Sequence, residues 1–343
     1  MRTNPEYYIS IPAEVLPHVD TASYFATPDG LNLACGHLQY APVWKDTLQL
    51  NYARTDVQKA MVDELRSVAR RCDGVRCDTA IAIIREVFNH RWGEVAGFME
   101  DEFWNKAIEE VKRENQDFLF IAEVYGEKEW QLQCLGFDFT YDKVLYDRLV
   151  GRDIPAIKDH LRADWNFTQK LVRFTENHDW PRATQVFGLN NKVSSLVMFL
   201  TPGLRLVHQG QIEGRTQQLS VYLLRQPAEK GDREIAAFYE RLFAMMNSPA
   251  ISRGDFSLLE IAGDAVIGFE RTYGGQNRLM CVVNLTERDN ETLFATDAFA
   301  SVRDYREVRL LSTERQRSPQ FDLWPGGITL RLRAHEGLVF CFP

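Results

Sequence analysis

Apolar residues between Thr55 and Ala69 fall at Val57, Met61, Val62, Leu65, Val68 and Ala69, the spacing of one face of an α-helix. Thr55-Asp56-Val57-Gln58 has the Thr-x-x-Gln form of a capping box and predicts the start of that helix. Asp73-Gly74 ends it, and "CDGVRCDTA" (Cys72–Ala80) predicts a short strand. "DFLFIAEVY" (Asp117–Tyr125) is an almost unbroken apolar run, as a strand covered on both faces in a parallel sheet requires. Further strands are predicted at 136–142, 170–179 and 203–211, and helices near 79–90, 101–114, 143–150, 153–162, 190–200 and 231–247. Strand and helix in alternation imply parallel βαβ units with right-handed crossovers.

Beyond residue 252 the texture changes. "DAVIGFERTY", "NRLMCVVNLT", "YREVRLLS", "GGITLRLRA" and "GLVFCF" are short alternating runs separated by Gly, Asn and Asp, the pattern of an antiparallel β-sandwich. Residues 1–50 show neither period, and their scattered Pro, Gly and aromatic residues predict an irregular segment or loop excursion. Three parts are therefore expected: 1–50, an α/β portion over 51–252, and an all-β domain over 253–343.

The length of 343 residues allows a large α/β domain plus a smaller one. Hydrophobic residues at 45% and charged residues at 26% describe an ordinary globular chain. A net charge of −8, with no cluster of five or more basic residues, argues against nucleic acid or an anionic membrane as partner. No run approaches the length of a membrane span, and "MRTNPEYYISIP" at the start lacks the apolar core of a signal peptide. The six cysteines form no C-x-x-C pair; reduced, mostly buried thiols and a cytoplasmic location are expected. Nothing in the pattern sets an oligomeric state.

Charged groups gather where the predicted strands end. Side chains two apart on a strand point the same way, so Arg76 and Asp78 share a face. The plain reading of that pair is a surface ion pair. Glu123 ends the run Phe118–Ala122, and Asn177, His178 and Asp179 follow the strand that passes through Phe174. In a (β/α) barrel the carboxyl ends of the strands carry the active site. A carboxylate after an apolar strand is costly unless solvated, paired or protonated. Glycoside hydrolysis needs one carboxyl as proton donor and one as charged nucleophile; the surroundings of Glu123 suit the first role, and Arg76 suits Asp78 to the second.

In this order the stretches resemble the α-amylase family of glycoside hydrolases. "DGVRCDTA" is similar to that family's nucleophile motif, "IAEVY" to its acid/base motif, and "FTENHDWPR" to its third-carboxylate motif. "PGLRLVHQGQ" resembles its last barrel strand, and "WKDTLQLNYARTDVQKAMVDEL" the segment that leads to the nucleophile. The resemblance covers roughly residues 40 to 250. It implies a partial (β/α)8 TIM barrel, the last five strands, followed by a C-terminal antiparallel β-sandwich. It implies Asp78 as nucleophile with Arg76 as partner, Glu123 as acid/base, and Asp179 and His178 on substrate hydroxyls. Asn177 and Trp180 join the substrate-binding set, Trp180 as a wall for sugar stacking or else as plain packing, while Trp44 and Tyr125 are assigned to packing. The implied reaction is double displacement on an oligosaccharide or α-glucan, with sucrose, trehalose or a short maltooligosaccharide as further substrates. A transglycosylase on the same site, or a non-catalytic relative with a binding or scaffold role, are the alternatives. No cofactor is implied; calcium is common in the family, and no complete calcium site is legible here.

The sequence departs from the family pattern in three places. The family's first three barrel strands, with an Asp and a His at the end of the third, have no counterpart upstream of Asp78. The chain is thus expected to start partway through such an enzyme, as a fragment or a naturally short form, and to be inactive or poorly folded alone. Trp180 stands where many relatives carry a small or acidic residue. The glutamate often found directly after Gly-Gln falls one place later, at Glu213.

Overall fold

Residues 4–12, 14, 21–28, 30–38, 42–261, 263–275, 277–299, 308–314 and 320–342 are described in a computed structural model. The chain divides into two compact units, Met1–Tyr141 and Asp142–Pro343.

Among the described residues, the first unit opens with four short antiparallel strands, β1 (Ser10–Ile11), β2 (Tyr24–Ala26), β3 (Asn32–Gly36) and β4 (Trp44–Leu48). β3 pairs with each of the other three, through Ser10↔Leu33, Tyr24↔Ala34 and Cys35↔Leu48. This corrects the expectation of an irregular segment over 1–50. Two- and three-residue strands are too short to show alternation, and β3 is buried at all five positions, so it has no polar face to alternate with.

Helix α1 (Thr55–Ala69) begins where predicted, but Thr55 does not cap it. Arg54 is the N-cap residue without a side-chain cap bond, and Asp56 pairs with it, Nη2 to Oδ2 at 2.7 Å. Of the apolar stripe only Val57 is fully buried. Strand β5 (Gly74–Cys77) is shorter than the predicted Cys72–Ala80, because Thr79 takes a left-handed φ of 43° and turns the chain. The helix expected at 79–90 becomes a 3-10 turn, Ala80–Ile83, and α2 (Arg85–Ala96), separated by the extended Ile84. Helix α3 (Phe103–Glu114) buries Phe103, Trp104, Ala107, Ile108 and Val111 along one side.

Next come β6 (Leu119–Ala122), α4 (Glu129–Cys134) and β7 (Phe139–Tyr141). β5 and β6 are parallel in the register Arg76↔Ile121 and Cys77↔Ala122, and β6 pairs in parallel with β7. Phe118, Phe120, Phe137 and Trp104 meet edge to face behind these strands.

The second unit starts with three helices that carry aspartate caps: α5 (Lys143–Gly151) under Asp142, α6 (Ile154–Leu161) under Asp153, and α7 (Trp165–Thr168) under Asp164. Then follow β8 (Leu171–Arg173), α8 (Ala183–Val186), α9 (Asn191–Leu200) and β9 (Leu204–Arg205). Helices α10 (Arg233–Met246) and α11 (Pro249–Arg253) complete the helical part. β8 and β9 are parallel, with Arg173 opposite Arg205. Gly203 allows the turn into β9: its φ is +126°, and a Cβ there would lie 2.2 Å from the Leu171 carbonyl oxygen.

Among the described residues, eight antiparallel strands follow: β10 (Asp255–Leu258), β11 (Val266–Tyr273), β12 (Asn277–Asn284), β13 (Asn290–Ala295), β14 (Arg309–Ser312), β15 (Gln320–Trp324), β16 (Gly327–Leu332) and β17 (Gly337–Phe342). They form a five-stranded sheet in the order β10-β11-β12-β17-β14 and a three-stranded sheet, β13-β16-β15. Met280, Val282, Phe294, Ile328, Leu330, Leu338 and Phe340 fill one apolar core between them.

The boundary between the compact units falls inside the stretch 51–252, which the sequence reading treats as one portion. The reason is that the strands after residue 254 are bonded to the helices before it. Asn190 Nδ2 donates to the Leu285 carbonyl at 3.1 Å, and Arg271 Nη2 donates to the carbonyls of Ile251 and Gly254 at 2.9 and 2.8 Å.

One buried charge network holds this unit near its first strand. Arg173 pairs with Asp142, both fully buried, and His160 Nε2 lies 3.1 Å from Asp142 Oδ2. Burial, with the neighbouring charges of Arg205 and Arg271, depresses the pKa of Arg173 to about 9. Arg173→Met should leave Asp142 without its guanidinium partner and cost about 3–5 kcal/mol. A denaturant midpoint equal to that of the parent chain would show that the pair contributes nothing.

Candidate active site

Arg76, Asp78 and Glu123 are brought together by the pairing of β5 with β6. The register Cys77↔Ala122 sets the residues that follow both strands side by side. It is extended by two backbone bonds, Glu123 N to Cys77 O at 3.0 Å and Ala80 N to Glu123 O at 3.1 Å. Arg76 reaches both acids. Its Nη1 pairs with Asp78 Oδ1, and its Nη2 lies 2.8 Å from Glu123 Oε1.

The two carboxylates sit in opposite surroundings. The Asp78 side chain is 80% exposed and that of Glu123 is 5% exposed. Burial of Glu123 is compensated by donors on both oxygens. Tyr125 donates its hydroxyl to Oε1 at 2.5 Å, and Thr79 donates its amide (2.6 Å) and hydroxyl (3.2 Å) to Oε2. Arg76 also lies over the Tyr141 ring, 5.6 Å from its centre. Burial works against the Arg76 charge, but the hydrogen bond with Tyr141, the Glu123 carboxylate and the bond with Asp78 outweigh it and raise its pKa. The Cys77 thiol between the two charged residues is pushed up to about 12 by burial, and stays an inert neutral group.

Asn177, His178, Asp179 and Trp180 form a second group, in the second unit. Asn177 is buried, and its Oδ1 accepts the amides of Asp179 and Trp180 at 2.9 and 3.2 Å. Asn177 thus shapes the turn that carries the next residues. His178 Nε2 lies 3.2 Å from Asp179 Oδ2, and both side chains are more than two-fifths exposed. Trp180 is half-buried, with the Lys143 ammonium 4.0 Å from its ring centre and the Tyr146 ring at 6.2 Å. One face of its indole is therefore taken by Lys143.

These geometries permit specific chemistry. An exposed carboxylate steadied by a guanidinium can act as a nucleophile, and a buried carboxyl beside it can exchange protons with a bound group. Among the described residues, no three His, Cys, Asp or Glu side chains are placed to hold a metal ion. No helix among them is long and apolar enough to cross a membrane.

No family model matches the chain. An α-1,4-glucan:maltose-1-phosphate maltosyltransferase from Picrophilus torridus is 22% identical over 197 residues, 54% of this chain and 31% of that protein. The α-amylase MalA of Haloarcula japonica is 24% identical over 259 residues, 72% of this chain and 34% of that protein. The chain thus spans about a third of the length of the curated relatives it matches. Among solved structures, an α-amylase from H. orenii superposes with a TM-score of 0.68 at 16% identity, over 99% of this chain and 75% of that one. The chain is thus similar in sequence to these two enzymes and shares the fold of the α-amylase.

Tyr125 and Thr79 are the residues the sequence reading misses. It assigns Tyr125 to packing, whereas the structure sets the Tyr125 hydroxyl on Glu123. A signal was present: Tyr125 stands two residues after Glu123, just as Asp78 stands two after Arg76. Thr79 offers no such signal, because its contact depends on the left-handed turn that follows β5.

Proposed function

We propose that this chain carries the catalytic carboxylates of a retaining α-glycoside hydrolase acting on α-glucans or related α-glucosides. The observation that carries the reading is the bridge of Arg76 to both Asp78 and Glu123. Asp78 attacks the anomeric carbon while Glu123 gives its proton to the departing glycosidic oxygen. A covalent β-glycosyl ester on Asp78 results. Glu123, now ionised, takes a proton from water, which attacks the anomeric carbon and releases Asp78. The donors gathered on Glu123 suit this charged form. Asp179, with His178 beside it, holds sugar hydroxyls more tightly in the oxocarbenium-like state than in the ground state. The substrate class is supported by the α-glucan named for the maltosyltransferase relative and by the amylase relative. A cytoplasmic location belongs to the same proposal, on the strength of the cysteine pattern.

Incubation with a fluorinated glycosyl fluoride tests it. One added sugar mass on the peptide that holds Asp78 is the expected result, and a folded chain that takes up no label would remove the catalytic reading. The maltosyltransferase relative favours a second reading, transfer to a sugar hydroxyl in place of water. Longer oligosaccharides formed at high acceptor concentration would select it.

A further inference from the structure

The loop that presents His178 and Asp179 is closed at its base by charges that the reaction does not use. Glu176 and Arg182 are each about 1% exposed, and Arg182 Nη1 donates to Glu176 Oε1 at 2.6 Å. The other oxygen, Oε2, accepts the Ala183 amide at 2.7 Å. Glu176 therefore grips the far end of the loop twice, while Asn177 sets the turn inside it.

Arg182 also reaches across to the chain that follows β9. Its Nη1 lies 2.7 Å from the Gln209 carbonyl oxygen and 2.9 Å from His208 Nδ1, and its Nε donates to the Gln217 carbonyl at 2.9 Å. His208 Nδ1 lies 3.2 Å from Glu176 Oε1. Gly210 makes room: its φ is +90°, and a Cβ there would lie 3.2 Å from Arg182 Nη2. Around this centre Gln211 Nε2 donates to Thr175 Oγ1 at 2.8 Å, Thr184 Oγ1 to the Arg215 carbonyl at 3.0 Å, and Gln218 Nε2 to the Asp179 carbonyl at 3.2 Å. The last bond ties the segment to the backbone of Asp179 itself.

We propose that Arg182 is a positioning residue for Asp179, clamping loop 176–183 to segment 208–218 through Glu176 and the carbonyls of Gln209 and Gln217. The proposal rests on the reading that Asp179 binds sugar. The physical case is that a buried guanidinium with a fork of fixed donors holds several acceptors in one geometry, which a lysine ammonium does not reproduce. A loop held at one end alone would leave the exposed Asp179 carboxylate free to wander.

The test uses the whole chain and three variants: Arg182→Lys, Arg182→Met, and Arg182→Met combined with Glu176→Gln, which avoids a lone buried carboxylate. Amide hydrogen exchange is the first readout. In the double variant, exchange across 176–183 and 208–218 should rise about tenfold or more, with peptides of the C-terminal sheets unchanged and Arg182→Lys intermediate. Maltotriose affinity is the second readout. It should fall in step with the local exchange, and on a cleaved substrate kcat should drop more than KM rises. Unchanged exchange in 176–183 would overturn the proposal, and so would a rise spread evenly over the second unit. If the parent chain neither binds maltotriose nor takes the label, the functional reading fails, while the exchange pattern still decides for or against the clamp.

Discussion

Asp78→Asn is expected to abolish the covalent label and to lower kcat/KM on an α-glucoside by about four orders of magnitude or more, some 5.4 kcal/mol of transition-state stabilisation. Asparagine has the same shape and keeps an oxygen for Arg76, but it has no charge with which to form the ester. The side chain is 80% exposed, so the fold should hardly register the change. The melting temperature should therefore match the parent chain while the rate collapses. Added azide sharpens the test with Asp78→Ala. A small anion in the vacated space should attack the anomeric carbon directly and give a product of inverted configuration. Parent-like turnover in Asp78→Asn would exclude Asp78 as nucleophile.

Glu123→Gln is expected to act differently, on both rate and stability. Loss of the proton donor should slow a substrate with a poor leaving group by about 10²–10⁴-fold. A glycosyl fluoride, whose leaving group needs little protonation, should lose far less in the first step. Equal losses on both substrates would rule out proton donation by Glu123. The structural cost comes from the donor set. Glu123 Oε1 faces Arg76 and Tyr125, and Oε2 faces Thr79. An amide must turn its NH2 toward one side or the other. The Tyr125 hydroxyl can rotate to accept, but the Arg76 guanidinium and the Thr79 amide cannot. Either orientation sets donor against donor in a buried place, at a cost of about 1–3 kcal/mol, visible as a lowered denaturant midpoint. An undiminished midpoint would mean that the donors around Glu123 are satisfied in another way.

Local periodicity carried much of the fold. The unbroken apolar run before Glu123 lies in β6, the helical stripe over 55–69 forms α1, and the alternating runs after residue 254 pair as antiparallel sheets. Strand alternation predicted Arg76 and Asp78 side by side; β5 ends at Cys77, one residue short of Asp78, and the structure still shows them paired. These features depend on neighbours a few residues apart, which is the range over which period and polarity act. The opening strands escaped notice because two residues define no period, and because β3 is buried throughout. The second partner of Arg76 required the register of β5 against β6, a relation between residues 47 positions apart, 76 and 123. The clamp on the Asp179 loop joins Arg182 to the carbonyl of Gln217, 35 residues on. The division at Tyr141 follows from bonds such as Asn190 to Leu285, 95 residues apart. Beyond the first fifty residues, the sequence by itself determined most of the segments that become strands and helices and the charged residues that end the strands. Only the tertiary structure decided which of those ends meet, because register and packing between distant segments leave no trace in local pattern.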